Sequence, residues 1–128
     1  MPNKKSKSHS KLIRSFGYAF KGIAFLFKTQ LNARIELAFA LAVLFAGILL
    51  QISNLEWALS ILCMGLVMSL EAMNTAIELL ADKLHPDFDK SIGRLKDVAA
   101  GSVLIGSIMA AIVGLIIFLP KIIELFKH

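Results

Sequence analysis

The chain has 128 residues, of which 57% are hydrophobic and 18% are charged, and its mean hydropathy is +0.74. This apolar share lies far above that of ordinary soluble domains, so the composition indicates one integral membrane domain rather than a soluble one. The formal charge of +5 could suit nucleic acid, but the basic residues are separated by apolar blocks, which favours anionic phospholipid as the partner.

The first two segments of the chain are basic. Residues 1–11 are rich in Lys and Ser, lack the apolar core of a signal peptide, and are predicted to be a disordered tail or to contact lipid headgroups. Residues 12–28 have the pattern of an amphipathic helix, with an aromatic apolar face opposite Lys and Arg. Such a helix is typical of a membrane surface, and a core-facing helix of a soluble protein is the alternative interpretation.

Apolar stretches long enough to cross a bilayer follow the surface helix. The predicted transmembrane helices are residues 32–52, 55–84 and 98–119. The first reaches the length of a span only if its polar start near Asn32 is included. Ser53 and Asn54 are candidate N-cap residues for the second. The single cysteine of the chain, Cys63, lies inside that second span, so no disulfide framework is expected.

The segment between the second and third spans is charged and contains helix-breaking residues. Residues 85–97 are predicted to be a loop, with Pro86 ending one helix and Gly93 acting as a second break. Pro120 is expected to end the third span. Small residues recur every four positions in this span and predict a ridge for close helix packing. They are Ser102, Gly106, Ala110 and Gly114.

The distribution of positive charge predicts the orientation. Lys and Arg are frequent before the first span and between residues 83 and 97, while the connection after the first span has none. This places the N-terminus and the 83–97 segment in the cytoplasm and the C-terminus outside, although Lys121 and Lys127 oppose it weakly. The cytoplasmic end of the second span is therefore where nucleotide and Mg²⁺ are available.

That end of the second span carries an acidic stripe. At 100° per residue, the side chains of Glu71, Asn74, Thr75, Glu78 and Asp82 share one face of the helix. Ionisable groups at membrane depth are costly and mark a functional site by default. Three uses compete: a helix end paired with the basic loop, an ion or proton path, and catalysis at the interface. The other two spans carry no ionisable residue in mid-membrane, which disfavours the path.

Catalysis at the interface would use carboxylates to bind a divalent ion on a nucleotide and to take a proton from a hydroxyl. The chain has no Gly-rich phosphate loop and no soluble-kinase motif set, so a kinase here would be of another type. The sequence E-A-M-N-T-A-I-E-L-L-A-D at 71–82, with K-D-V-A-A-G-S-V-L at 96–104, resembles the prokaryotic diacylglycerol kinase family, which includes undecaprenol kinases. F-G-Y-A-F-K-G at 16–22 and N-A-R-I-E at 32–36 extend the resemblance over most of the chain.

The resemblance implies an all-α integral membrane protein, with an N-terminal amphipathic surface helix and three transmembrane helices in one domain at 12–128. It also implies a homotrimer with active sites shared between subunits, located in the bacterial inner (plasma) membrane with its active site on the cytoplasmic face. The implied reaction is Mg²⁺-dependent transfer of the γ-phosphate of ATP to the primary hydroxyl of undecaprenol or diacylglycerol.

Roles for individual residues follow from the same resemblance. Glu71 would be the general base and Glu78 a metal ligand, with Asn74 and Asp82 supporting them. The nucleotide contacts implied are Lys11, Tyr18, Gln30, Glu78, Asp87, Asp89, Lys96 and Asp97. The residues themselves agree in part, because Glu71 is the stripe member nearest the bilayer, where loss of hydration makes a carboxylate a stronger base. The alternatives for Lys96 and Tyr18 are a positive-inside charge and an interfacial aromatic anchor.

Position 30 departs from the family pattern. Family members commonly have a metal-binding Glu there, whereas this chain has Gln30, whose neutral amide is a weaker Mg²⁺ ligand. Either Gln30 binds through its carbonyl oxygen, or Glu36 substitutes for it, or the affinity for metal is reduced. The alternative function is therefore a non-catalytic membrane assembly protein of the same fold with a weakened metal site. A transporter is a third and weaker hypothesis.

Overall fold

The computed structural model describes residues 4–87 and 89–128. This part of the chain is all-helical, as predicted. Its helices are α1 (Lys4–Thr29), α2 (Leu31–Leu49), α3 (Asn54–Leu84) and α4 (Lys90–Lys127). The last three are each long and apolar enough to cross a membrane, in agreement with the three apolar helices expected from the sequence.

Helix α3 is the centre of the fold. It packs along α4 over the most extensive helix contact, carries α2 on another face, and contacts α1 near its C-terminal half. Gly106 of α4 permits the close approach, since a Cβ at this position would lie 2.5 Å from Leu70 Cδ1. The predicted small-residue ridge is therefore used for packing at Gly106, whereas a Cβ at Gly114 would meet nothing within 4 Å.

The connection between α2 and α3 is short and well defined. Ser53 is the N-cap of α3, and its hydroxyl accepts from the Glu56 backbone N–H at 3.2 Å while the Glu56 carboxylate accepts from the Ser53 N–H at 3.1 Å. This capping box satisfies two of the free amides at the helix start. Gln51 turns the chain with φ of 51°, in the left-handed region that only a few non-glycine residues occupy. Helix α2 consequently ends at Leu49, before the predicted boundary at residue 52.

The predicted disordered tail at 1–11 is wrong for its described part. Helix α1 begins at Lys4, and residues 1–3 lie outside the described residues. Lys, Ser and His are compatible with a helix, and no Pro or Gly interrupts this segment. Polar side chains also bond within the helix, because the Ser10 hydroxyl donates to the Lys7 carbonyl at 3.1 Å and the Ser15 hydroxyl to the Lys11 carbonyl at 3.0 Å.

Two predicted breaks near α4 are also wrong. The helix begins at Lys90, so most of the predicted 85–97 loop is helical and Gly93 lies inside the first turns. The Gly93 N–H donates to the Asp89 carbonyl at 2.8 Å, and an interior glycine costs only about 1 kcal/mol. Pro120 also lies inside α4. It removes one backbone donor, at roughly 3 kcal/mol, without preventing the helix from continuing.

The continuation past Pro120 creates a contact at the end of the bundle where α3 begins. It brings Lys121 of α4 to the start of α3, where the Lys121 Nζ lies 3.3 Å from the Glu56 Oε1. Both side chains are partly buried. Lys121, which opposed the orientation predicted from charge, is therefore paired with an acidic residue.

Candidate active site

The acidic stripe of α3 passes from the interior of the bundle to its surface. Glu71 is 2% exposed, Asn74 8% and Thr75 4%. Two turns beyond Glu71, Glu78 is half-buried, and Asp82 is exposed. Glu71 and Glu78 are close enough to repel each other electrostatically. The stripe therefore presents one deeply placed carboxylate and a second one nearer to water.

The buried end of the stripe is covered by the other helices. Glu36 of α2 lies within electrostatic range of Glu71, which places a third carboxylate at this level of the bundle. Thr75 faces α1 across a cavity of about 350 Å³ that Gly22 and Leu26 also line. Helices α1 and α2 thus both pack against α3, and the burial of Glu71 follows from tertiary packing.

Several polar atoms at this level have no hydrogen-bond partner within the described chain. They are Glu36 Oε2, Asn74 Oδ1 and Thr75 Oγ1. Buried polar atoms are normally satisfied, and exceptions call for an explanation such as a ligand or ion. All three are oxygen atoms, and carboxylate and amide oxygens are the ligands that Mg²⁺ prefers. The donor chemistry fits a magnesium ion, but residues 4–87 and 89–128 contain no group of three acidic, Cys or His side chains positioned to hold a metal.

Gln30 lies at the joint between α1 and α2. It is the N-cap residue of α2, with extended backbone, and its side chain makes no capping bond. Its Nε2 donates to the Thr29 Oγ1 at 3.2 Å. Nearby, Arg34 Nη2 donates to the Lys28 carbonyl at 3.0 Å, which ties α2 to the last turn of α1. With its amide nitrogen engaged by Thr29, Gln30 keeps its carbonyl oxygen as the atom available to a cation.

Lys96 and Asp82 are joined across α3 and α4. The Lys96 ammonium donates to Asp82 Oδ1, so a predicted nucleotide contact lies beside the last member of the acidic stripe. The two residues are fourteen positions apart in sequence, and no local pattern predicted this pair. The sequence had suggested only that a basic loop could neutralise the stripe.

The predicted contacts near the start of α4 serve helix capping. The carboxylate of Asp89, the N-cap of α4, accepts from the Ser91 N–H at 2.6 Å. The His85 ring contacts both acidic residues of this turn. Its Nδ1 lies 3.4 Å from the Asp87 backbone carbonyl oxygen, and its Nε2 lies 3.9 Å from Asp89 Oδ2. Phe88, between them, lies outside the described residues. Asp97 is exposed one position after Lys96.

Lys11 and Tyr18 lie on the N-terminal part of α1. Both side chains are exposed, and Lys21 Nζ lies 5.8 Å above the centre of the Tyr18 ring. In the described part of the chain, no hydrogen bond or ion pair joins either residue to the acidic stripe. A single chain therefore places Glu71 within electrostatic range of Glu36 and of Glu78, and it joins Asp82 to Lys96, but it links neither residue of α1 to these groups.

Comparison with known proteins gives consistent matches. The family model for prokaryotic diacylglycerol kinase matches residues 17–118. The chain is 39% identical over 125 residues to an undecaprenol kinase of Bacillus subtilis, covering 91% of this chain and 98% of that protein. It is 38% identical over 115 residues to a diacylglycerol kinase of Synechocystis, covering 89% of this chain and 66% of that protein.

Proposed function

The chain belongs to the prokaryotic diacylglycerol kinase family and is a lipid kinase, and on this premise we propose that it phosphorylates the primary hydroxyl of a membrane lipid alcohol with ATP. The two candidate alcohols are undecaprenol and diacylglycerol, after which the relatives are named. We further propose that the protein works as a homotrimer in the bacterial plasma membrane, with α1 on the cytoplasmic surface and its active sites facing that side.

The observation that carries this proposal is the burial of Glu71. A carboxylate that is 2% exposed and is flanked by Glu36 and Glu78 has lost most of its hydration. Such a group suits a general base that takes a proton from an alcohol.

In the proposed reaction, the most deeply buried carboxylate of the stripe, Glu71, acts on the lipid hydroxyl. The lipid hydroxyl lies against Glu71, which accepts its proton while the alcohol oxygen forms a bond to the γ-phosphorus. The bond from that phosphorus to the β,γ-bridging oxygen breaks, and ADP leaves. Asn74, one turn from Glu71, would orient the alcohol by donating an amide N–H to the hydroxyl oxygen, whose own proton goes to Glu71. Phosphoryl transfer depends chiefly on positioning and charge neutralisation, which these residues are placed to provide.

Charge on the nucleotide would be neutralised by two parts of the chain. A Mg²⁺ ion would be held by Glu78, with the Gln30 carbonyl or the Glu36 carboxylate as a further oxygen ligand, and would offset charge on the phosphates. Lys96 would bind a phosphate oxygen as a point charge. The remaining proposed contacts, Lys11, Tyr18, Asp87, Asp89 and Asp97, would complete the nucleotide site. Among the described residues, neither Lys11 nor Tyr18 makes a hydrogen bond or ion pair with the stripe of its own chain. In the proposed trimer, these two contacts would therefore come from a neighbouring subunit.

The experiment that tests this function compares the two lipids side by side. The purified protein in lipid nanodiscs is incubated with labelled ATP, Mg²⁺ and either undecaprenol or diacylglycerol, and the labelled lipid product is measured. We expect phosphorylation of at least one lipid. A folded oligomer that phosphorylates neither lipid and binds no nucleotide would support the non-catalytic assembly protein.

A further inference from the structure

A second cavity lies in the membrane-spanning part of the bundle. Helix α2 contacts α3, but the described residues of α2 do not pack along α4. The space left between the three helices is an open groove of about 500 Å³. We call it the interhelical groove. Its lining is almost entirely apolar, and its polar members include Ser60, Cys63 and Ser107. Ser60 is 5% exposed, so its hydroxyl lies within the bundle and not at a lipid-facing surface.

One end of the interhelical groove meets the candidate active site. Glu36 lines the groove and also interacts with Glu71 on the neighbouring helix. Its Oε2 is buried without a partner among the described residues. A hydroxyl that entered the groove at this end would find both an unpaired hydrogen-bond acceptor and the proposed base.

The other end lies deep in the membrane. The contact between Gly106 and Leu70 places this point of α4 level with Glu71, the residue after Leu70. Phe118, which lines the far end of the groove, is twelve residues beyond Gly106, about 18 Å further along α4 at 1.5 Å per residue. Half of a typical hydrocarbon core is about 15 Å. The groove is therefore deeper than one leaflet.

The groove is also narrow. A volume of about 500 Å³ spread over about 18 Å gives a mean cross-section of roughly 30 Å². Carbon atoms of adjacent groups stay about 4 Å apart, so this width suits one hydrocarbon chain better than two side by side. Small residues at the far end, Ala110, Ala111 and Gly114, keep it open.

We propose that the interhelical groove binds the hydrocarbon chain of a single-chain lipid alcohol that is longer than one leaflet, and that Gly114 helps to set the chain length accepted. The hydroxyl lies at Glu36 and Glu71, and the chain runs toward Phe118. This inference rests on the proposed kinase function and selects a polyprenol over a diacylglycerol. The lateral opening of the groove toward lipid provides the entrance for a substrate that never leaves the membrane.

The first test blocks the far end of the groove. In Gly114→Leu the new side chain projects into space with nothing within 4 Å of its Cβ, so the helix packing is preserved. Gly65→Leu is the matched control, since its Cβ is equally free and it does not line the groove. With Mg²⁺ and ATP, kcat/KM is measured for a short prenol that ends before Gly114 and for a long polyprenol.

We expect Gly114→Leu to lower kcat/KM for the long polyprenol about tenfold or more, the scale of steric discrimination by a methylene-sized change in an apolar pocket. The short prenol should keep its rate in this variant, and the control should keep both rates. An equal loss for both prenols, or no loss for either, overturns the proposal. So does a wild-type preference for diacylglycerol that Gly114→Leu leaves unchanged.

The second test needs no turnover. A long prenol with a photoreactive diazirine on the isoprene unit about 18 Å from its hydroxyl is bound without ATP, irradiated, and located by mass spectrometry of the labelled peptides. We expect labels at Ser60 and Phe118. Labels at the lipid-facing residues Leu104 and Ile116 in their place, or crosslinks showing that a second subunit fills the groove, overturn the proposal. Groove labelling without phosphorylation of any lipid would instead contradict the kinase function and leave the groove assignment standing.

Discussion

The Lys96 side chain of α4 donates to the Asp82 carboxylate of α3, so the first turns of α4 are tied to the end of the acidic stripe. Both side chains are more than a third exposed, at 36% and 63%, and pairs of this kind contribute roughly 0–1 kcal/mol to stability. The pair between Lys96 and Asp82 therefore contributes little to the free energy of unfolding. We interpret it as a holding contact that keeps the ammonium group beside the site until phosphate oxygens compete for it.

Replacing Lys96 with Met should weaken nucleotide binding. Loss of a hydrogen bond between charged groups is worth about 1.5–3 kcal/mol, so we expect the KM for ATP to rise about 10- to 100-fold. Asp82→Asn removes the holding contact but keeps the ammonium, and its KM should change less. The measurement is a steady-state titration of ATP at saturating lipid. An unchanged KM in Lys96→Met would mean that Lys96 is a positive-inside charge and nothing more.

Glu71→Gln should abolish phosphoryl transfer while the oligomer stays intact. The amide has nearly the same shape as the carboxylate but cannot take the hydroxyl proton, and general-base catalysis typically contributes about 10²- to 10⁴-fold. Single-turnover phosphorylation of the lipid gives the rate, and size-exclusion chromatography checks the assembly. Retention of full activity would remove Glu71 from the proposed mechanism.

Gln30→Glu should strengthen magnesium binding. The change replaces a neutral amide oxygen with a carboxylate at the α1–α2 joint, and hard cations bind the charged oxygen more tightly. We expect the Mg²⁺ concentration for half-maximal activity to fall several-fold, on the order of 1 kcal/mol in affinity. Gln30→Ala is the control and should raise it. The Mg²⁺ dependence is measured after chelation with EDTA, and identical curves for the three proteins would exclude position 30 from the metal site.

Gly47→Ala should destabilise the packing around the α2–α3 connection. A Cβ at this position would lie 2.7 Å and 2.9 Å from two atoms of the Trp57 ring and 3.0 Å from Ile52 Cδ1. The rigid indole cannot yield without shifting the α2–α3 connection, and overpacking of this kind costs about 1–3 kcal/mol. Thermal unfolding followed by fluorescence of Trp57, the single tryptophan, reports the change.

The control for this prediction is Gly65→Ala. A Cβ there would meet nothing within 4 Å, and removal of a glycine from a helix gains up to about 1 kcal/mol. We therefore expect a lower midpoint for Gly47→Ala and an equal or higher one for Gly65→Ala. Matching shifts in the two variants would contradict the contact with Trp57.

The sequence alone determined the all-helical class, the three helices that are apolar enough to cross a membrane, and the position of the acidic stripe. These depend on hydropathy and on side-chain periodicity, both of which are local properties of the chain. An N-cap at Ser53 or Asn54 was predicted for the same reason, and Ser53 forms it with Glu56, which is only three positions away. The family resemblance also came from the sequence, and the family model confirms it.

Tertiary structure decided what those elements do together. Gly93 and Pro120 were predicted to break helices and did not, because their cost of a few kcal/mol is small beside the packing of α4 along α3. The burial of Glu71, its approach to Glu36 and the pairing of Lys96 with Asp82 depend on how separate helices meet. So does the interhelical groove, since a space between three helices has no signature in any one of them.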